Sequence, residues 1–346
     1  MSPFRHQDVR ETSQRRPRGV GLWAGLGVWL LGVLFLSLSP VRVVYAAGDP
    51  VTCAANMPGG LNFGTIDALS PNNTDVISTL NIQCQSHVRQ WYYVTVCFNI
   101  GEGANPLTGA NRTLLSGSNA LSYQIYSDAA RTQIWGSVNS SVYPNPVRLD
   151  FYLGGRQTYS QNLSVYGRLF GSQNTAPTGL YQDSYTNPQV RITGVLTYNY
   201  GGGTCDSFGQ DAGAFSPVTV SGTVGSNCLV NASNLNFGTA SLISGAIAST
   251  STLGVQCTNG TAYQVGLSNG QHSVGSQRYM TSGTNQVAYG LFQDSAHTRI
   301  WDDGTSRKSG VGSGQVVNQT VFGLVPSQPT VPAGSYSDTV QVNVSY

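Results

Sequence analysis

The string LNFGT occurs twice, at residues 61–65 and 235–239, and each copy lies between two cysteines. Cys53 and Cys84 flank the first copy; Cys228 and Cys257 flank the second. Two further matches follow in the same order. Tyr123, Asp128, Thr132, Ile134 and Trp135 correspond to Tyr289, Asp294, Thr298, Ile300 and Trp301. Val165, Gly167, Gly179, Tyr181 and Asp183 correspond to Val321, Gly323, Gly334, Tyr336 and Asp338. Three collinear matches define two copies of one domain, which excludes a fold built on a single core.

Each copy closes on alternation, with Val190, Ile192 and Val195 before Tyr198, and Val340, Val342 and Val344 before Tyr346. A period of two places one face of a strand in a core. Gly, Ser, Thr, Asn, Val and Tyr dominate, Lys308 is the single lysine, and no amphipathic helical stretch is found in the mature chain. Such a composition predicts an all-β class with frequent turns. The glycine-rich stretch 201–214 reads as a linker between a domain at 47–200 and a second at 215–346.

The first 46 residues carry Arg5, Arg10, Arg15, Arg16 and Arg18, then an apolar run from Val20 to Leu38, then Val44-Tyr45-Ala46 in a small-x-small pattern. This is read as a secretory signal peptide at 1–46, cleaved after Ala46. Six of the 17 Lys and Arg and two of the 15 Asp and Glu lie within it, so the mature chain has a net charge of about −2. Its arginines are scattered singly, which excludes a nucleic-acid surface.

Six cysteines, an export signal and no CxxC spacing point to disulfides rather than metal ligands. Cys53/Cys84 and Cys228/Cys257 hold equivalent places in the repeat and should make equivalent bonds, leaving Cys97 and Cys205. A bond between those two would close a loop worth about 4–5 kcal/mol in the chain-entropy model. Catalytic, cofactor and metal sites are not expected. Gly266-Leu-Ser268-Asn-Gly270 fits a hydrolase pattern but lacks the helix that its elbow needs. His87, His272 and His297 form no metal spacing, and Glu102 with Asp150 is a weak carboxylate pair. Asp128, Asp294, Trp135 and Trp301 recur in both copies and read as fold determinants.

The order of cysteine, LNFGT, second cysteine, Asp/Thr/Trp segment, G-x-Y-x-D and terminal alternating strand resembles the spore coat protein U domain of Csu-type pilins in archaic chaperone-usher systems. The resemblance covers nearly the whole mature chain twice. It implies two tandem immunoglobulin-like β-sandwich domains, the C-terminal one lacking its last strand. It further implies that a periplasmic chaperone and then the N-terminal extension of an adjacent pilin supply that strand at an outer-membrane usher.

Cleavage after Ala46 leaves only AGDPVT before Cys53, with Pro50 inside it, too short for a donor strand. An accepting subunit without a donor suits a tip adhesin, secreted through the periplasm to the pilus tip at the cell surface and serving attachment and biofilm formation. Val218, Val220 and Val224 mark residues 215–224 as a strand that completes the first domain in cis or, alternatively, simply begins the second. The expected acceptor groove is Val321, Phe322, Val340, Val342 and Val344. Trp91, Val142, Tyr143, Pro144, Pro146, Val147 and Tyr185 are the candidate adhesive-loop residues, for an abiotic surface or a glycan. The alternative reading is a secreted carbohydrate-binding β-sandwich module.

Overall fold

The computed structural model describes residues 50–197, 204–205 and 211–346. The expected signal peptide at 1–46 and most of the expected linker lie outside the described residues. Residues 44–346 form one compact unit, whose described part is all-β, without an α-helix.

The first repeat contributes β1 (Val51–Asn56), β2 (Leu61–Ile66), β3 (Thr74–Ser86), β4 (Tyr92–Ile100), β5 (Arg112–Ser116) and β6 (Asn119–Tyr126). It continues with β7 (Val147–Leu153), β8 (Thr158–Leu169), β9 (Gly179–Tyr185), β10 (Val190–Thr197), β11 (Asp211–Phe215) and β12 (Val218–Val224). These join in the order β2-β12-β9-β5-β6-β8-β3-β1-β11-β10-β4-β7, curled around one core that includes Leu61, Leu80, Val96, Leu114, Tyr123 and Val220. Strand alternation selects the core side chains. In β12, Val218, Val220 and Val224 are buried while Thr219 and Thr223 face solvent.

The structure departs from the sequence expectation at 201–214. Residues 211–214 of the expected linker lie in a strand: β11 runs parallel to β1 and antiparallel to β10. Small residues at Ala212, Gly213 and Ala214 let it fit, since a methyl group at Gly213 would lie 1.8 Å from Cys53 O. β11 and β12 therefore both lie in the first repeat's sheet, and the strands of the other two sheets start at Cys228.

The second repeat holds β13 (Cys228–Ala232), β14 (Ile247–Cys257), β15 (Ala262–Leu267), β16 (Arg278–Ser282), β17 (Asn285–Phe292), β18 (Lys308–Val311), β19 (Val316–Val325) and β20 (Val342–Ser345). One sheet runs β13-β14-β19-β17-β16 and the other β18-β15-β20, over a core including Leu253, Val265, Leu291 and Trp301. Asn227 Nδ2 donates to Asp67 Oδ2 at 2.9 Å and Asn259 Nδ2 to Thr175 O at 2.7 Å, joining the repeats.

The shared sequence signals build the same frame twice. Asp128 accepts from the Thr132 and Gln133 N–H groups and the Thr132 hydroxyl, and Asp294 does the same with Thr298 and Arg299. Trp135 Nε1 donates to Phe98 O at 2.8 Å, and Trp301 Nε1 to Val265 O at 2.9 Å. Buried Arg112 donates to the carbonyls of Ile100, Gly101 and Trp135; buried Arg278 to those of Leu267, Ser268 and Trp301. All three disulfides are formed: Cys53–Cys84, Cys97–Cys205 and Cys228–Cys257.

Candidate functional site

The LNFGT string keeps one local geometry in both copies. In the first copy the Gly64 N–H donates to Asn62 Oδ1 at 2.8 Å and Gly64 takes a φ of 68°, a conformation that favours glycine. The second copy repeats it: the Gly238 N–H donates to Asn236 Oδ1 at 2.8 Å with Gly238 at φ 78°. Leu235 and Phe237 pack against the second core, as Leu61 and Phe63 lie in the first beside the bulge at Gly64. Opposite it, the parallel pairing of β12 with β2 shifts register between Ser221 and Thr223.

In the first repeat β12 lies between β2 and β9, parallel to the former and antiparallel to the latter. Val220 stands beside Leu61 and Asp183, and Val218 beside Tyr185. Under this cover Leu61 is 1% exposed, Phe63 4%, Ile66 1% and Tyr181 0%. Gly222 marks the tightest point, where a methyl group would lie 2.5 Å from Ile66 Cδ1 and 3.2 Å from Phe63 Cβ.

In the second repeat the equivalent residues have no such cover among the described residues. Segment 235–239 is in no strand, and neither is 334–340, whose one β-bridge joins Ser337 to Thr281. Leu235 nevertheless sits over Gly323 as Leu61 sits over Gly167. Phe237 meets Tyr289 edge-on at 6.2 Å, as Phe63 meets Tyr123 at 6.1 Å. The wall is in place but half-buried: Leu235, Phe237, Tyr336 and Val340 all retain exposure, and Leu242 is 63% exposed. Val342 and Val344, in β20, extend this apolar line against β15. Val230 of β13 is 40% exposed, whereas its counterpart Ala55, in a strand paired with β11, is buried.

The expected groove list is corrected at two positions. Val321 is buried within the core. Phe322 falls on the opposite face of β19, edge-on to His297. Alternation along the strand makes it impossible for both to line one groove. Leu235 and Phe237 are not among the expected groove residues; the apolar residues two apart in the repeated string were the available signal.

The candidate adhesive residues are not brought together. Trp91 precedes β4 at its Tyr92 end, whereas loop 136–146 packs at the Ile100 end, with the Ile100 N–H donating to Gly136 O. The two are separated by the strand's length, roughly 25–30 Å at the usual rise. Tyr143 is buried: its hydroxyl donates to Ala110 O and its ring lies under the Arg112 guanidinium. Tyr185 is also core, its hydroxyl paired with that of Tyr123 at 2.5 Å. Val147 opens β7 and, like Pro146, is half-buried, which leaves Val142 and Pro144 exposed in that loop. At the other end Trp91 and Tyr152 are 44% and 54% exposed and form an aromatic cluster with Tyr93, with ring centroids 5.8–5.9 Å apart. That end carries the start of β1 and the close of β3. It is opposite to the end where Val224 meets Ile66 and Gly179 and where the second repeat is joined.

The ionisable groups are used structurally. Burial raises the Asp183 carboxyl above its ordinary range, although Tyr123 and the N–H groups of Ala104, Asn105 and Ser184 donate to it. Burial likewise drives the Tyr123 and Tyr289 phenols well up. Ser268 Oγ accepts from the Gln341 and Gly270 N–H groups, bracing a loop after β15. Glu102 accepts from the Ser140 hydroxyl, and Asp150 pairs with Arg148 at 2.8 Å. Among the described residues no cluster of His, Cys, Asp and Glu is placed to hold a metal.

The Spore Coat Protein U domain family matches residues 42–187 and 214–343. No curated protein matches the chain. Among solved structures, the chain is similar to the CsuC–CsuE chaperone-tip adhesion subunit pre-assembly complex of Acinetobacter baumannii archaic Csu pili. The identity there is 18%, covering 86% of this chain and 100% of that one, with a TM-score of 0.48. Similarity to the CupB6 tip adhesin of Pseudomonas aeruginosa is 11% identity over 85% and 94% of the two chains, at a TM-score of 0.32.

Proposed function

Because the chain belongs to the Spore Coat Protein U domain family through both of its repeats, we propose that it is a tip-adhesin subunit of a chaperone-usher pilus. The second repeat accepts a strand from the next pilin, and the first repeat meets the target. One observation carries the reading. Residues 211–224 fill gaps between strands of the first repeat, while Leu235, Phe237, Tyr336 and Val340, which match the residues beside β12, are half-exposed in the second. An added strand would satisfy backbone groups and cover this apolar wall together, which is the physics of strand addition. In this account β11 and β12 are a donor supplied in cis, tied back by Cys97–Cys205 across a sequence separation of 108.

A periplasmic chaperone would cover the same edge before assembly at an outer-membrane usher, because an open apolar edge is an aggregation hazard. The Trp91, Tyr93 and Tyr152 cluster lies at the end away from the second repeat, where target contact would fall. Its exposed rings favour stacking on a sugar face and are the observation that keeps the glycan-binding reading in view. The test is solubility and thermal melting of residues 47–346 alone and with a pilin chaperone. A second-repeat melting transition that the chaperone raises, with less aggregation, supports the acceptor role; a melt that the chaperone leaves unchanged overturns it.

A further inference from the structure

The two copies of the LNFGT edge differ by one side chain at their end. The first continues as LNFGTI and the second as LNFGTA, so Ala240 stands where the first repeat has Ile66. In the first repeat Ile66 closes the pocket beneath β12. Its Cδ1 would lie 2.5 Å and its Cγ1 3.3 Å from a methyl group at position 222, and Tyr181 pairs with Gly222 from the β9 side. A larger side chain there would require the end of the Ile66 side chain to shift. In the second repeat the other walls recur as Phe237 and Tyr336, but the isoleucine branch is gone and Ala240 is exposed.

We propose that Ala240 makes the second repeat's edge selective for a strand bearing a branched apolar side chain where β12 carries Gly222. This rests on the acceptor reading above. The occupant is an extended segment of another chain with apolar residues two apart, read from the template that β12 supplies: Val218, Val220, position 222 and Val224 all face inward. A glycine there leaves the space beside Ala240 unfilled, whereas a valine covers Phe237 and Ala240. The chain's own β12 is thereby matched to the first repeat and mismatched to the second. This discriminates against one copy lending its internal strand to another, since specificity is a difference between two fits.

The test uses labelled peptides of sequence 211–224, one native and one with Gly222→Val, titrated by fluorescence anisotropy into the folded protein 47–346. A parallel titration uses Ala240→Ile protein, with the milder Ala240→Val as a second variant. Two to three buried methyl groups give an expected preference on the order of tenfold for the valine peptide. Ala240→Ile should reverse it toward glycine. Equal binding of the two peptides, or a preference that Ala240→Ile leaves unmoved, overturns the selectivity while leaving strand acceptance standing. Failure of both peptides to bind either protein overturns strand acceptance and the selectivity with it.

Discussion

The same five residues take two states in one chain. Leu61 to Thr65 lie in a strand with their apolar side chains sealed; Leu235 to Thr239, with the same local hydrogen bond and the same glycine conformation, are in no strand and stay half-open. Local sequence is therefore sufficient to shape the edge and insufficient to close it. Closure depends on a third strand, β12 in the first repeat, whose side chains complete the core. Stability should accordingly be distributed unevenly between two copies of one domain.

The sharpest way to break this contrast is Val220→Asp, which puts a charge at a fully buried point of β12. An unpaired buried charge costs several kcal/mol, so the first repeat should unfold while the second keeps its melting transition. Two-step calorimetry or near-UV dichroism would resolve the repeats, and a single unchanged transition would refute the role given to β12. Next comes the matched pair Phe63→Ala and Phe237→Ala. Truncating the sealed phenylalanine should cost about 3–5 kcal/mol, and the half-exposed one under about half of that. Equal losses would mean that the second edge is as well covered as the first. A smaller effect is expected for Gly222→Val in the chain itself, about 1–3 kcal/mol from overpacking against Ile66 and Phe63. Pairing it with Ile66→Ala should recover much of that loss.

The smallest effect is acid sensitivity. Arg168 holds the Asp75 carboxyl below its ordinary range, Arg148 does so for Asp150, and N–H donors led by those of Gln133 and Arg299 do so for Asp128 and Asp294. A carboxyl with a depressed folded pKa contributes stability above its unfolded value and loses it as pH falls through the folded one. Asp183, raised by burial, acts in the opposite sense, and its protonation in acid offsets part of the loss. Three of the four depressed groups lie in the first repeat, so its transition should fall more steeply below about pH 4 than that of the second. Melts from pH 6 to pH 2 with the transitions assigned would check the order.

Much of this was legible in the residues. Collinear matches gave two domains, alternation gave strands, and the cysteine spacing gave the equivalent bonds. Val218, Val220 and Val224 stood out because a period of two is local. Other features depend on partners distant in sequence. β11 reads as glycine-rich linker because small residues are needed to pass Cys53 and Ala212 sits against Gly194, contacts visible only once the sheet is closed. Tyr143 and Tyr185 looked like loop aromatics, but Arg112 and Tyr123 draw them into the core. Those buried arginines, Arg112 and Arg278, went unread because isolated charges in a sequence of this kind look like surface. Their equivalent distances from Trp135 and Trp301 were the missed cue.

The most direct test of the central claim is amide hydrogen exchange on residues 47–346, comparing Leu61–Ile66 and Gly179–Tyr185 with Leu235–Ala240 and Gly334–Val340. The account predicts slow exchange at the first pair and fast exchange at the second, which becomes slow when a strand-donating peptide or chaperone is added. Equal protection of both pairs without any partner would contradict it.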